Sequence, residues 1–211
     1  MQVLGNVSCL TENELYKRER SLPTSRLTPV ELARKALKET GDVRVLAYHL
    51  LSMIGTSEDP TIVKRLKAIC AFSANAAAAI EFVSYEGFRL YIAPRVSELL
   101  KADFERGLAF LTAIILHELG HNFFNNNTIV HLYEEMKSHM AVLPSLEKFR
   151  ENVEPLMEGL VNEYVMASWK QGEKKGIVSY KYGVPFVPLP GVVYIVDRPE
   201  YRQFEEYYKP I

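Results

Sequence analysis

The sequence predicts an α+β chain, mostly helical, with a small β-sheet placed ahead of one long apolar helix. Three observations carry this. From Thr28 onward, apolar residues recur at helical spacing behind recognisable caps. Between Phe82 and Ile92 the period drops to two. From Leu108 to Leu116 a nearly unbroken apolar run leads into His117-Glu118-Leu119-Gly120-His121.

Residues 1–27 are polar with scattered apolar positions, and Pro23-Thr24 argues against a continuous helix, so they read as an N-terminal arm. Thr28-Pro29-Val30-Glu31 has the capping-box pattern with Pro at the first helical position. It opens a helix to about Glu39, ended by Gly41. A second helix runs from about Val43 to Met53. Asp59-Pro60 starts a third, with Ile62, Leu66, Ile69 and Phe72 at helical spacing, continuing through the alanines at 76 to 79. Phe82 to Tyr85 and Phe88 to Ile92 form a hairpin with Gly87 in its turn. A short helix spans Val96 to about Ala102. Asp103 caps a long helix from Phe104 to about Phe124, which the Asn125-Asn126-Asn127 run ends. Helices follow at about 128–140 and 154–170, with room for a shorter one between. Gly172 to Gly176 is a charged loop, and the short β-like runs of 177–196 are broken by Pro185, Pro188 and Pro190. The chain thus divides into an arm at 1–27, a helical domain at 28–170 with its core at 82–170, and a β- and Pro-rich tail at 171–211 packing on the body.

Composition bounds the function. The 211 residues are 48% hydrophobic and 24% charged, ordinary values for a globular chain with a sizeable core. A net charge of -1 argues against a nucleic-acid partner, because Lys17-Arg18-Glu19-Arg20 is the one dense basic stretch and an acid interrupts it. Two cysteines, Cys9 and Cys70, make no disulfide framework, so a reducing compartment is the simpler expectation. The first residues lack a basic and an apolar region, and the apolar runs fall short of the roughly 20 residues a membrane span needs. The chain is therefore expected to be cytoplasmic, with no membrane span.

Four of the five histidines fall within 23 residues: His117, His121, His131 and His139. On a helix, His117 and His121 leave the same face one turn apart and can share one zinc ion. Glu118 lies about 100° round that helix. There it can take a proton from a zinc-activated water attacking a carbonyl and hand it to the leaving amine. Gly120 leaves a notch through which another segment can approach. One ligand is still missing. No aspartate occurs between Asp103 and Asp197, and the metzincin continuation would need a His where Asn127 stands. His131, His139 or a glutamate remain. Of the glutamates in the helix at 154–170, Glu163 continues the Leu156/Leu160 row and borders its apolar face, while Glu158 points toward the polar side.

These residues resemble a zincin metallopeptidase of the gluzincin group. The resemblance rests on His117-Glu118-Leu119-Gly120-His121 and on an Asn162-Glu163 pair whose Glu lies 42 residues after His121. It implies Zn2+ held by His117, His121 and Glu163, with Glu118 as catalytic base and a peptide or protein as substrate. It also implies a sheet before the active-site helix whose edge strand pairs with the substrate backbone, a role that fits Phe88 to Ile92. The resemblance covers about residues 82–170. Two positions depart from the pattern. Ala167 stands where an Asp would orient the first His, and no His follows His139 to hold an oxyanion. Tyr164, Tyr180, Tyr182 and Tyr194 are the available substitutes. His131 and His139, eight residues apart, share roughly one helix face, and His49 reads as a core-edge residue. The competing expectation is a catalytically weakened zincin-fold protein that serves as a structural or regulatory component of a larger assembly. The arm, or the tail with Tyr201, Phe204, Tyr207 and Tyr208, would then dock a protein partner.

Overall fold

The computed structural model describes residues 7–21, 27–55, 62–72, 77–84, 87–122, 126–140 and 142–174, a few side chains within them excepted. It is a mostly helical α+β fold with one four-stranded sheet, as the sequence predicts. Strand β1 (Ser8–Thr11) leads into helix α1 (Glu12–Arg20), followed by α2 (Pro29–Thr40) and α3 (Val43–Gly55). A single turn, α4 (Ile62–Arg65), opens directly into β2 (Leu66–Ala71). The hairpin β3 (Ala78–Ser84) and β4 (Gly87–Ile92) precedes α5 (Pro94–Ala102) and α6 (Phe104–Gly120). Helices α7 (Asn126–His139) and α8 (Leu146–Lys174) complete the described chain. Among the described residues no helix is long and apolar enough to cross a membrane.

The helix starts legible in the sequence form for the expected reasons. Thr28 and Glu31 cap each other reciprocally, Pro29 takes the first turn, and Gly41 closes α2 at φ 62°. The Asp103 side chain accepts from the Arg106 amide at 3.2 Å.

The expected helix forms only at Ile62–Arg65, and Leu66–Ala71 is a strand instead. Ile69 faces the main core while Ala68, Cys70 and Phe72 face a second apolar cluster with Tyr91 and Ala93. A strand apolar on both faces has no readable period of two, so its spacing mimics a helix until a pairing partner decides. That partner is β4, parallel, with Ile69 opposite Leu90. The order β1-β2-β4-β3 makes β4 internal, so Phe88 to Ile92 is not an edge strand; the edges are β1 and β3. β3 begins at Ala78, which takes the end of the expected alanine helix into the sheet.

The N-terminal arm is also more ordered than its composition suggests. Thr11 and Glu14 form a second capping box, and α1 buries Leu15 completely. Polar contacts tie the arm to α3 and its start, among them Tyr48 to Glu12 at 3.0 Å, His49 Nδ1 to Glu19 at 3.1 Å, and Arg44 to the Ser8 carbonyl at 2.9 Å. His49 is the core-edge residue that was expected. Cys9 and Cys70 sit directly opposite in the antiparallel β1–β2 pair, Cα atoms 4.0 Å apart, and are joined as a disulfide. Two bonded cysteines remove the basis for reading a reducing compartment from their number.

Helix α6 ends earlier than expected, at Gly120. The Asn122 side-chain amide donates to the Leu119 carbonyl at 3.0 Å and so competes with a further helical turn. Helix α8 starts at Leu146 and runs to Lys174, through the expected loop at Gly172. The β-like runs expected at 177–196, and the aromatic end of the tail, lie outside the described residues.

The core joins α3 (Val45, Leu46, Leu50, Leu51), the inner sheet face (Ile69, Phe88, Leu90, Ile92) and α6 from Leu108 to Leu116. Each such side chain contributes about 1.5–3 kcal/mol on leaving water. Backbone packing is close where α5 meets α6. A Cβ on Gly107 would stand 2.7 Å from Leu100 Cα and 2.8 Å from its nitrogen, both backbone atoms that cannot step aside.

Gly107→Ala should therefore cost about 1–3 kcal/mol by urea unfolding, although Ala is the better helix former. Breaking the Cys9–Cys70 bond, which spans a sequence separation of 61 residues, should cost about 4 kcal/mol by chain entropy. Urea midpoints of the oxidised protein and of Cys9→Ser measure it.

Candidate metal centre

The site is built by the end of α6. The apolar run from Leu108 to Leu116 buries the helix on all sides and fixes where its last turn stands. That turn is tightened by His121 N–H to the Glu118 carbonyl at 3.2 Å and Asn122 N–H to the Leu119 carbonyl at 3.0 Å. His121 keeps helical angles (φ -66°, ψ -12°), so the i, i+4 alignment with His117 holds. The last turn is less open than the sequence suggests: Leu119 and Gly120 are buried and Glu118 is 9% exposed, while His117 and His121 are partly exposed.

The two imidazoles converge. Their Nε2 atoms are 3.2 Å apart, and the rings meet nearly edge-on at 82°. Two nitrogens each about 2.0–2.1 Å from one tetrahedral zinc would lie about 3.3 Å apart. Burial, and then the neighbouring His121, push the His117 imidazole down to about 3. It is therefore neutral at physiological pH with a lone pair to give, the form a metal ligand needs. Two imidazole nitrogens at that spacing could share one zinc ion, and among the described residues no third ligand stands beside them. The same separation also serves an N–H···N hydrogen bond between the rings when no ion is present.

Gly120 supplies the notch that the sequence predicts, and α8 fills it. A Cβ at Gly120 would stand 3.0 Å from Val161 Cγ1 and 3.2 Å from Tyr164 Cδ1. The residues of α8 that turn inward are Met157, Val161, Val165 and Ser168. This corrects the expected apolar row, because Leu156 and Leu160 are 67% and 46% exposed. Glu163 shares the register of that exposed row, whereas Glu158 lies one residue past Met157 and three before Val161. Both belong to α8, and their side chains lie outside the described residues. Of the four candidate tyrosines, Tyr164 is brought against the last turn of α6, and Tyr180, Tyr182 and Tyr194 lie outside the described residues.

His131 and His139 are exposed on α7. Among the described residues no group of three His, Cys, Asp or Glu side chains stands together, so neither completes a ligand set with His117 and His121. Sequence reasoning missed Val161, whose contact with Gly120 depends on the path of α8. It also read past Asn122, whose Oδ1 is buried without a hydrogen-bond partner one residue beyond His121. The only sequence signal there was a run of asparagines.

No protein-family model matches the chain, and no curated protein or solved structure is similar to it at a significant level.

Gly120→Val should lower stability by about 1–3 kcal/mol by forcing Val161 and Tyr164 off the end of α6. Thermal unfolding of the variant beside Val161→Ala/Gly120→Val, which restores room, checks that the loss arises at this contact.

Proposed function

We propose that the protein is a zinc-dependent metallopeptidase. The observation that carries this reading is the pair of Nε2 atoms held 3.2 Å apart at the end of a buried helix, with the Glu118 carboxyl on the next position of the same turn. His117 and His121 would hold the ion, and a glutamate of α8 would complete the set: Glu163 by resemblance to the gluzincin pattern, or Glu158 by its register beside Met157. Zinc at that place would polarise a water molecule and the substrate carbonyl. Glu118 would accept the water's proton at its carboxylate and return it to the departing amine. Tyr164, whose ring lies against Gly120, would supply a donor to the developing oxyanion. The sheet edges are β1 and β3, and β3, with Phe82 and Val83 37% and 45% exposed, is the one that packs beside α6. An extended substrate would add to that edge rather than to β4.

One observation favours a second reading, in which the centre is structural and the chain is a non-cutting component of an assembly. Glu118 is nearly closed off, and α8 lies directly on the turn that carries it.

Glu118→Gln should keep about one zinc per chain and lower peptide hydrolysis by about 10²–10⁴-fold. Full activity in that variant would exclude the mechanism, and zinc retention with no hydrolysis even in the unmodified protein would establish the structural reading. Zinc titrations of Glu163→Gln and Glu158→Gln identify the third ligand. Its loss should weaken binding by more than the roughly 10–100-fold typical of an outer-shell partner.

A further inference from the structure

The two residues joined by the Cys9–Cys70 bond differ sharply in exposure. Cys9 is exposed on β1, which is the outermost strand of its side of the sheet. Cys70 is completely buried on β2, within an apolar cluster of Ala68, Phe72, Tyr91 and Ala93. Thiol–disulfide exchange proceeds by in-line attack of a thiolate on one sulfur, and its rate depends on access to that sulfur and on how well the other leaves.

We propose that this bond is a directional exchange site, in which a low-molecular-weight thiol or its disulfide reacts only at Cys9 and Cys70 acts as the buried resolving thiol. Formation runs in two steps. The Cys9 thiolate attacks the reagent RSSR, forms Cys9–S–SR and releases RS⁻. Cys70 then attacks the Cys9 sulfur, closes the Cys9–Cys70 bond and releases the second RS⁻. The two cysteines lose two electrons and two protons; RSSR gains them and leaves as two RSH. Reduction is the reverse: RS⁻ attacks Cys9, and Cys70 departs as a thiolate. That thiolate would form among apolar side chains, where burial raises a thiol's pKa and makes it a poor leaving group. The bond therefore closes readily before Cys70 is covered and opens slowly afterwards. Once made, it fastens β1 and α1 to the rest of the sheet.

The test uses the full chain with glutathione as reagent. In the oxidised protein, a short pulse of reduced glutathione quenched with iodoacetamide should place glutathione on Cys9 alone, read by peptide mass spectrometry. Reduction in the native state should be at least about tenfold slower than in guanidinium chloride. In the single variants, the Cys9 thiol of Cys70→Ser should react with a chromogenic disulfide at least about tenfold faster than the Cys70 thiol of Cys9→Ser. Glutathione on Cys70, equal rates in the two variants, or reduction as fast in the native as in the unfolded chain would each overturn the proposal. The pulse on the unsubstituted protein decides the matter even where a variant fails to fold.

Discussion

Helix α6 has to satisfy two demands that conflict. It is apolar and buried all round from Gly107 to Leu116, yet its last turn presents His117, Glu118 and His121. Burying the first part is what positions the second. The sheet, α3 and α5 exclude water from the helix along its length, and the backbone of α5 approaches to the limit that Gly107 allows. A helix held so tightly cannot rotate, so the two imidazoles keep one direction. Gly120 serves the same end at the other pole of the helix, where its missing side chain lets α8 lie against the turn.

The site's electrostatics follow from that burial. An imidazole held partly out of water beside a second imidazole resists protonation, and the His117 pKa falls accordingly. Two neutral rings with converging nitrogens would repel at their lone pairs unless a proton or a cation lies between them. The arrangement thus favours an electrophile at that point, and the chemistry proposed for Glu118 takes advantage of the same low-dielectric surroundings. A third ligand to the proposed ion would come from another element, because apart from His117 and Glu118 the only His, Cys, Asp or Glu of α6 is Glu105 at its far end.

The sheet and the N-terminal arm form the platform for this helix. β4 is flanked on both sides, so its inner residues Phe88, Leu90 and Ile92 meet the core without any exposed edge. β1 closes one flank and is fixed there by Cys70, by Leu15 and by the polar contacts of Glu12, Glu19 and Ser8 with α3 and its start. The other flank, β3, stays open among the described strands.

The amino-acid sequence alone determined the features whose causes lie within a few residues. The caps at Thr28 and Asp103, the stop at Gly41 and the His117–Glu118–His121 spacing are all local, and each formed as read; the hairpin formed too, with Gly87 as the first residue of β4, paired with Ser84, rather than in the turn. So did the notch at Gly120, although not what would fill it. Only the tertiary structure decided whether 62–72 would be helix or strand, because an apolar segment covered on both faces carries no period that separates the two. It decided that Cys9 would meet Cys70, since a contact across 61 residues has no local signal. It decided which face of α8 turns inward, replacing the Leu156/Leu160 row with Met157, Val161 and Val165. Packing, rather than propensity, makes these choices, since a helix or strand commits an apolar face only when a partner covers it.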